Sequence, residues 1–222
     1  MMMSPAVATT ALGTQALDPA LQLMLLMASL SFVPFIIMGM TSFLRYIIVL
    51  SLVKNALGTQ QVPPAMVLVG LAFILTLHTM SPVIQETISI TQPMMQKGSN
   101  VLQLLDRGSI PLKRFMLRQT SQQDLAFFLD LAGSERPKRP EEVSIFQAAP
   151  AFMLSELKTS FEIGFIIFIP FVVLDIVVAN ILTALGMMMM SPTVISLPFK
   201  ILIFVAVDGW GLIVNGLVQS FH

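Results

Sequence analysis

Apolar runs are poor places for charge, yet Asp175, Lys200 and Asp208 each sit inside one. A formal charge at mid-bilayer costs on the order of 2.5–3.5 kcal/mol on insertion scales, so each needs a partner or water. Asp175 lies eleven residues before Gly186 and Lys200 eight after Pro192. At ~1.5 Å of rise per residue their depths differ by about one helical turn, which a lysine side chain spans. The chemistry on offer is a carboxylate–ammonium pair, closed within one chain or between neighbouring copies. The alternative, a proton or ion relay, would have only two carboxylates, one amine and His78 to work with. His78 stands beside Thr76 and Thr79, and the only other histidine is His222, too few imidazoles for a zinc site. It reads as a hydrogen-bonded packing residue. Glu156, Lys158 and Glu162 enter the third apolar run on successive turns, either as interfacial helix charge or as a contact with a partner.

Much familiar chemistry is absent. There is no cysteine, and no GxxxxGK[ST] loop, HExxH pair or GxSxG elbow occurs. Neither an enzyme nor a cofactor is expected, and the energy for any transport must come from another component.

A different chemistry is concentrated in GMMMMSP at 186–192. Gly, Ser and Pro announce a helix break there, where a water-facing turn would ordinarily be polar. Met187, Met188, Met189 and Met190 fill it instead. Methionine is apolar, unbranched and rotatable about three side-chain bonds, so it fills gaps of changing shape. Presented by several copies, the four side chains would make a deformable seal around a conduit; presented by one, they would pack a tight turn. The spacing leaves both readings open. An AlaLeuGly triplet at 56–58 opens a similar link to Pro63 and Pro64, this one polar, so the two halves of the chain share a frame.

The elements that must position these residues are long and apolar. Hydrophobic residues make up 55% of the chain and charged ones 11%, with a mean hydropathy of +0.85. Twelve basic and twelve acidic residues cancel, so no global field draws the chain to nucleic acid. Four nearly uncharged runs, 20–44, 65–84, 163–185 and 194–218, each exceed the ~18 residues of a membrane-spanning candidate. Residues 1–19 show neither the basic segment nor the apolar core of a secretory signal and read as a flexible terminal segment. Residues 20–84 form a first helical hairpin and 159–222 a second, with the methionine loop at 186–192. Between them, 85–158 reads as an outward-facing insert. It carries a helix at about 111–132, with Phe115, Phe128 and Leu129 as apolar anchors, and a charged loop at 133–142. Arg45, Lys54 and Lys200 flank or follow the two short links, which places those links on the cytoplasmic side. Pro34, Pro82, Pro170 and Pro198 break the runs, which predicts helices buried against other helices rather than bathed in lipid. The fold class is therefore all-α and membrane-associated, two proline-broken hairpins with a helical insert.

Three stretches carry a resemblance: FLRYIIVLSLVKNALGTQQVPP (43–64), PAFMLSELKTSFEIGFIIFIPFVVLDIVVANILTALGMMMMSP (150–192) and ISLPFKILIFVAVDGWGLIVNGLVQSF (195–221). They closely resemble the FliP family of flagellar biosynthesis proteins, and the SctR group of virulence-secretion homologues is similar but less close. The resemblance implies an export-gate subunit of a type III secretion apparatus in the bacterial inner membrane and flagellar basal body. It implies a homo-oligomer, expected as a pentamer, in a ring or helical cone with FliQ and FliR, beside FlhB and FlhA. Unfolded export substrates would pass through its centre, and the cone would stand partly raised to the periplasmic side. The family's channel-closing methionine loop falls on Met187, Met188 and Met189, and Met190 follows where the family pattern has Leu. Its charge pair between neighbouring subunits falls on Asp175 and Lys200, and an acidic position facing FliR falls on Glu156; Phe115 and Phe128 are expected to share in partner contact. An injectisome gate subunit is the alternative within the family. A stand-alone small-solute carrier is the alternative outside it, suggested by the repeated AlaLeuGly frame.

Overall fold

The computed structural model of the chain describes residues 23, 24, 27, 28, 31, 33–59, 62–96, 101–133, 142–187 and 189–221. Residues 1–19 and most of the charged loop expected at 133–142 lie outside this set, as does Met188. The chain divides into two units, Met1–Pro34 and Phe35–His222. In the first, residues 23, 24, 27, 28 and 31 are helical, and Ser31 Oγ donates to the Met27 carbonyl at 3.1 Å.

Among the described residues the structure is all helix, with no strand. In chain order the helices are α1 (Val33–Met40), α2 (Phe43–Leu57), α3 (Ala65–Gln96), α4 (Val101–Gln119), α5 (Gln122–Leu131), α6 (Ile145–Ala184), α7 (Pro192–Ala206) and α8 (Gly209–Gln219). Helix α2 is the centre. It lies against α3 and α6 and touches α7, and Tyr46, Val49, Leu50 and Val53 are wholly buried along it. Phe115 and Met116 from α4, and Ala148 and Phe152 from α6, complete the core.

Of the four apolar runs, two fall within continuous helices long and apolar enough to cross a membrane, α3 and α6. The other two candidates are bent pairs, α1 with α2 at 77° and α7 with α8 at 63°. The prolines do not set these bends. Pro82 and Pro93 lie inside α3, Pro150 and Pro170 inside α6, and Pro198 inside α7, each helix running on past them. The first bend falls at Thr41–Ser42, where Thr41 Oγ1 donates back to the Ile37 carbonyl and accepts from the Phe43 amide at 3.3 Å, diverting backbone groups from the helical ladder. The second falls at Val207–Asp208, where Asp208 is left-handed, with φ 52° and ψ 52°.

The insert is also built differently from the expectation. Helix α3 runs on to Gln96 and α6 begins at Ile145, so both hairpin helices extend into the segment read as 85–158. A capping box starts α6: Ser144 accepts from the Phe146 amide, and the Gln147 side chain accepts from the Ser144 amide at 3.4 Å. The single helix expected over about 111–132 is two. Pro111 sits inside α4 rather than opening it, and Ser121 interrupts the chain and caps α5 by accepting from the Asp124 amide at 3.1 Å.

Candidate functional site

The methionine bend joins the longest helix, α6, to α7 by an economical turn. Gly186, at φ 74°, ends α6 in a Schellman motif: its amide donates to the Thr183 carbonyl at 3.0 Å and the Met187 amide to the Leu182 carbonyl at 2.9 Å. A left-handed glycine serves the first AlaLeuGly triplet in the same way, Gly58 at φ 78°. The Met190 amide then donates to the Met187 carbonyl at 3.2 Å, and Pro192 supplies the first residue of α7, where a missing N–H is harmless. The Gly186, Met187 and Met190 amides are thus satisfied within the turn. Met187, Met189 and Met190 are 43%, 102% and 41% exposed, and Leu185 and Val194 beside them are exposed as well. The described tip of the α6–α7 hairpin is an apolar surface that this chain's own core does not cover.

Below the tip, α6 and α7 are joined by charge. Lys200 Nζ donates to Asp175 Oδ2 at 2.7 Å and to the Ala56 carbonyl at 3.3 Å, while Ser196 Oγ donates to Asp175 Oδ1 at 2.5 Å. Lys200 is buried and Asp175 half-buried. The ammonium therefore meets the last turn of α2, where the helix dipole favours positive charge. This pair closes inside one chain and fixes three helices against one another just beneath the methionines.

The largest polar assembly in the interior centres on Arg45. Nε donates to Glu156 Oε2 at 2.8 Å, and one terminal nitrogen donates to Glu156 Oε1 at 2.5 Å and to Gln119 Oε1 at 3.3 Å. The other terminal nitrogen donates to the Ser220 carbonyl at 3.0 Å and hydroxyl at 2.9 Å. These contacts use all five guanidinium donors. The guanidinium carbon also lies 3.8 Å from the centroid of the Phe221 ring, which packs on Tyr46 and Phe115. Arg45, which flanks the first short link in sequence, is a core residue of α2. The sequence carries one signal for this: Arg45 shares the helical phase of Val49 and Ala56, both of them buried.

The same assembly changes the reading of the residues expected at partner contacts. Glu156 is 0% exposed and committed to Arg45, and Phe115 is buried between Phe152 and Phe221. Both face this chain's own interior. Phe128 is half-buried, edge-on to Phe127 at 5.1 Å. His78, expected as a hydrogen-bonded packing residue, is exposed on α3 and lines an open groove with Trp210 and Asn215. The neighbouring hydroxyls are directed elsewhere, Thr76 to the Ala72 carbonyl at 2.7 Å and Thr79 to Tyr46 at 2.5 Å.

A second buried carboxylate ties the insert to α6. Asp124 accepts from Ser121 Oγ at 2.7 Å, from Ser155 Oγ at 2.6 Å and from the ammonium of Lys158. Burial pushes its pKa up, but the bonds from Lys158, Ser155 and Ser121 outweigh burial and hold it below the ordinary carboxylate value. Among the described residues no cluster of His, Cys, Asp and Glu could hold a metal ion.

The FliP family profile matches residues 26–217. The chain is 48% identical to the flagellar biosynthetic protein FliP of Pectobacterium carotovorum subsp. carotovorum over 95% of its own length and 82% of that protein's. It is 46% identical to the flagellar biosynthetic protein FliP of Bacillus subtilis, over 90% of this chain and 91% of that one. It is also 42% identical to the Yop proteins translocation protein R of Yersinia pestis, over 92% and 98% of the respective lengths. With nearly all of its length matched in this way, the chain belongs to the FliP family.

Proposed function

We propose that the chain is a subunit of the flagellar type III protein-export gate, and that the methionine bends of several copies line a conduit as a gasket. The observation that carries this reading is the tip of the α6–α7 hairpin: Met187, Met189 and Met190 project from a turn that already satisfies its own backbone. A thioether ring excludes water and ions because it is apolar, and it parts around a passing polypeptide because each side chain can rotate. β-branched residues in the same place would be too stiff. The Asp175–Lys200 pair beneath holds the hairpin in register, so that softness is confined to the tip. In this reading the copies form a ring, as a pentamer, together with FliQ and FliR and near FlhB and FlhA, in the inner membrane at the flagellar basal body. Unfolded export substrates pass through the centre. The outer ends of the assembly stand on the periplasmic side. The similarity to a Yop translocation protein supports service in an injectisome as the second reading.

Replacing Met187, Met188 and Met189 together with Ala tests the gasket. The expected result is a rise in small-ion leak through the assembled complex, read as conductance in a planar bilayer, with the size of the particle unchanged. Wild-type conductance from intact complexes carrying the three alanines would refute the seal.

A further inference from the structure

We infer that Asp208 is a docking point for the cationic side chain, Lys or Arg, of an apolar helix on another subunit. The inference rests on the reading that this chain works inside an assembly of several different proteins.

Asp208 has no use inside its own chain that requires a carboxylate. It occupies the N-cap position of α8, yet its side chain makes no capping hydrogen bond. Its backbone is already served, the amide donating to the Val205 carbonyl at 3.1 Å and the carbonyl accepting from the Leu212 amide at 3.0 Å. No described residue gives its carboxylate a hydrogen bond or an ion pair. The left-handed conformation of the bend does not call for charge either, since Gly or Asn adopts it at least as readily. The other two charges within the apolar runs of the second hairpin, Asp175 and Lys200, neutralise each other. Asp208 is the one left over.

Its surroundings say what kind of partner fits. Leu202, Val205, Val207 and Leu212, within six residues of it in the chain, are all exposed, so the exposed side chains flanking this charge are apolar. Asp208 is itself exposed, and Gly211 leaves its carboxylate room: a Cβ there would stand 2.3 Å from Asp208 Oδ2. A helix that is apolar over most of its contact face and carries one Lys or Arg is complementary to such a surface in both properties. A polar or acidic partner would leave the apolar rim or the carboxylate uncompensated.

The test uses the full chain in the intact export system. Asp208→Lys should abolish export, and Asp208→Asn should impair it while keeping the left-handed bend. Both should accumulate and form the homo-oligomer as wild type does, which separates failure at this site from failure of the ring reading. Selection for restored export from Asp208→Lys should yield Lys or Arg replaced by Asp or Glu in an apolar helix of a different export subunit. Wild-type export by Asp208→Asn would overturn the inference. So would compensating changes confined to this chain, which would put the cation on a second copy.

Discussion

Removing Arg45 alone from the Arg45–Glu156 pair should be more damaging than removing both members. Arg45 is 3% and Glu156 0% exposed, so a single substitution strands a charge in the core. Breaking a buried pair in this way costs about 3–5 kcal/mol, whereas replacing both members with apolar residues of similar volume is often neutral or better. Glu156→Leu is therefore predicted to cost about 3–5 kcal/mol. Arg45→Met adds the loss of its bonds to Ser220 and Gln119, roughly 0.5–1.5 kcal/mol each. In a chain of this size each kcal/mol moves the midpoint by about 2–4 °C, so Glu156→Leu should lower it by roughly 6–20 °C and Arg45→Met by more. The double variant keeps the bond losses but strands no charge, so it should melt above Arg45→Met. Circular dichroism of the detergent-solubilised protein, with midpoints compared at one scan rate, gives the ordering. A double variant no more stable than Arg45→Met would refute the reasoning, as would a Glu156→Leu shift under about 2 °C, worth roughly 1 kcal/mol.

The remaining outcomes follow from the other two polar clusters. Reversing Asp175 alone or Lys200 alone should lower the thermal midpoint by loosening α6 and α7 from α2, and the double reversal should restore it only in part, because an aspartate at 200 cannot donate to the Ala56 carbonyl as Lys200 does. Asp124 has a folded-state pKa below its unfolded value, so its contribution is complete above an ordinary carboxylate pKa of about 4 and is lost as pH falls through the lower folded value. Asp124→Asn should therefore be less stable than wild type at neutral pH, with a shallower loss of stability below about pH 4, measured as thermal midpoints across an acid series.

Local pattern disclosed the helices and the methionine turn because both are written in short stretches: long apolar runs, then Gly and Pro around four thioethers. The rise per residue put Asp175 and Lys200 at nearby depths, and their charged atoms lie 2.7 Å apart. What pattern did not disclose is long-range. Arg45 meets a glutamate 111 residues away and a carbonyl 175 residues away, and nothing near Arg45 names either partner. Phe115 and Glu156 are illegible for the same reason, since sequence shows an aromatic ring or a carboxylate but not which surface receives it. The bends were misplaced because proline is a loud signal and Thr41 and Asp208 are quiet ones. The helices run on past their internal prolines, whereas a threonine hydroxyl taking over a backbone carbonyl, or one left-handed residue, marks where the chain turns.

Helix α6 has 40 residues and so extends about 60 Å, twice the thickness of a bilayer's hydrocarbon layer. Its foot is capped by Ser144, its first half carries Ser155 and Lys158, two of Asp124's partners, and its head leads into the methionines. Such a rod is a lever arm: a tilt of roughly five degrees at the foot sweeps the head sideways by about 5 Å, the width of a side chain. In the proposed ring, strain applied at the foot of α6 would in this way widen the opening between the methionine bends without any helix having to melt.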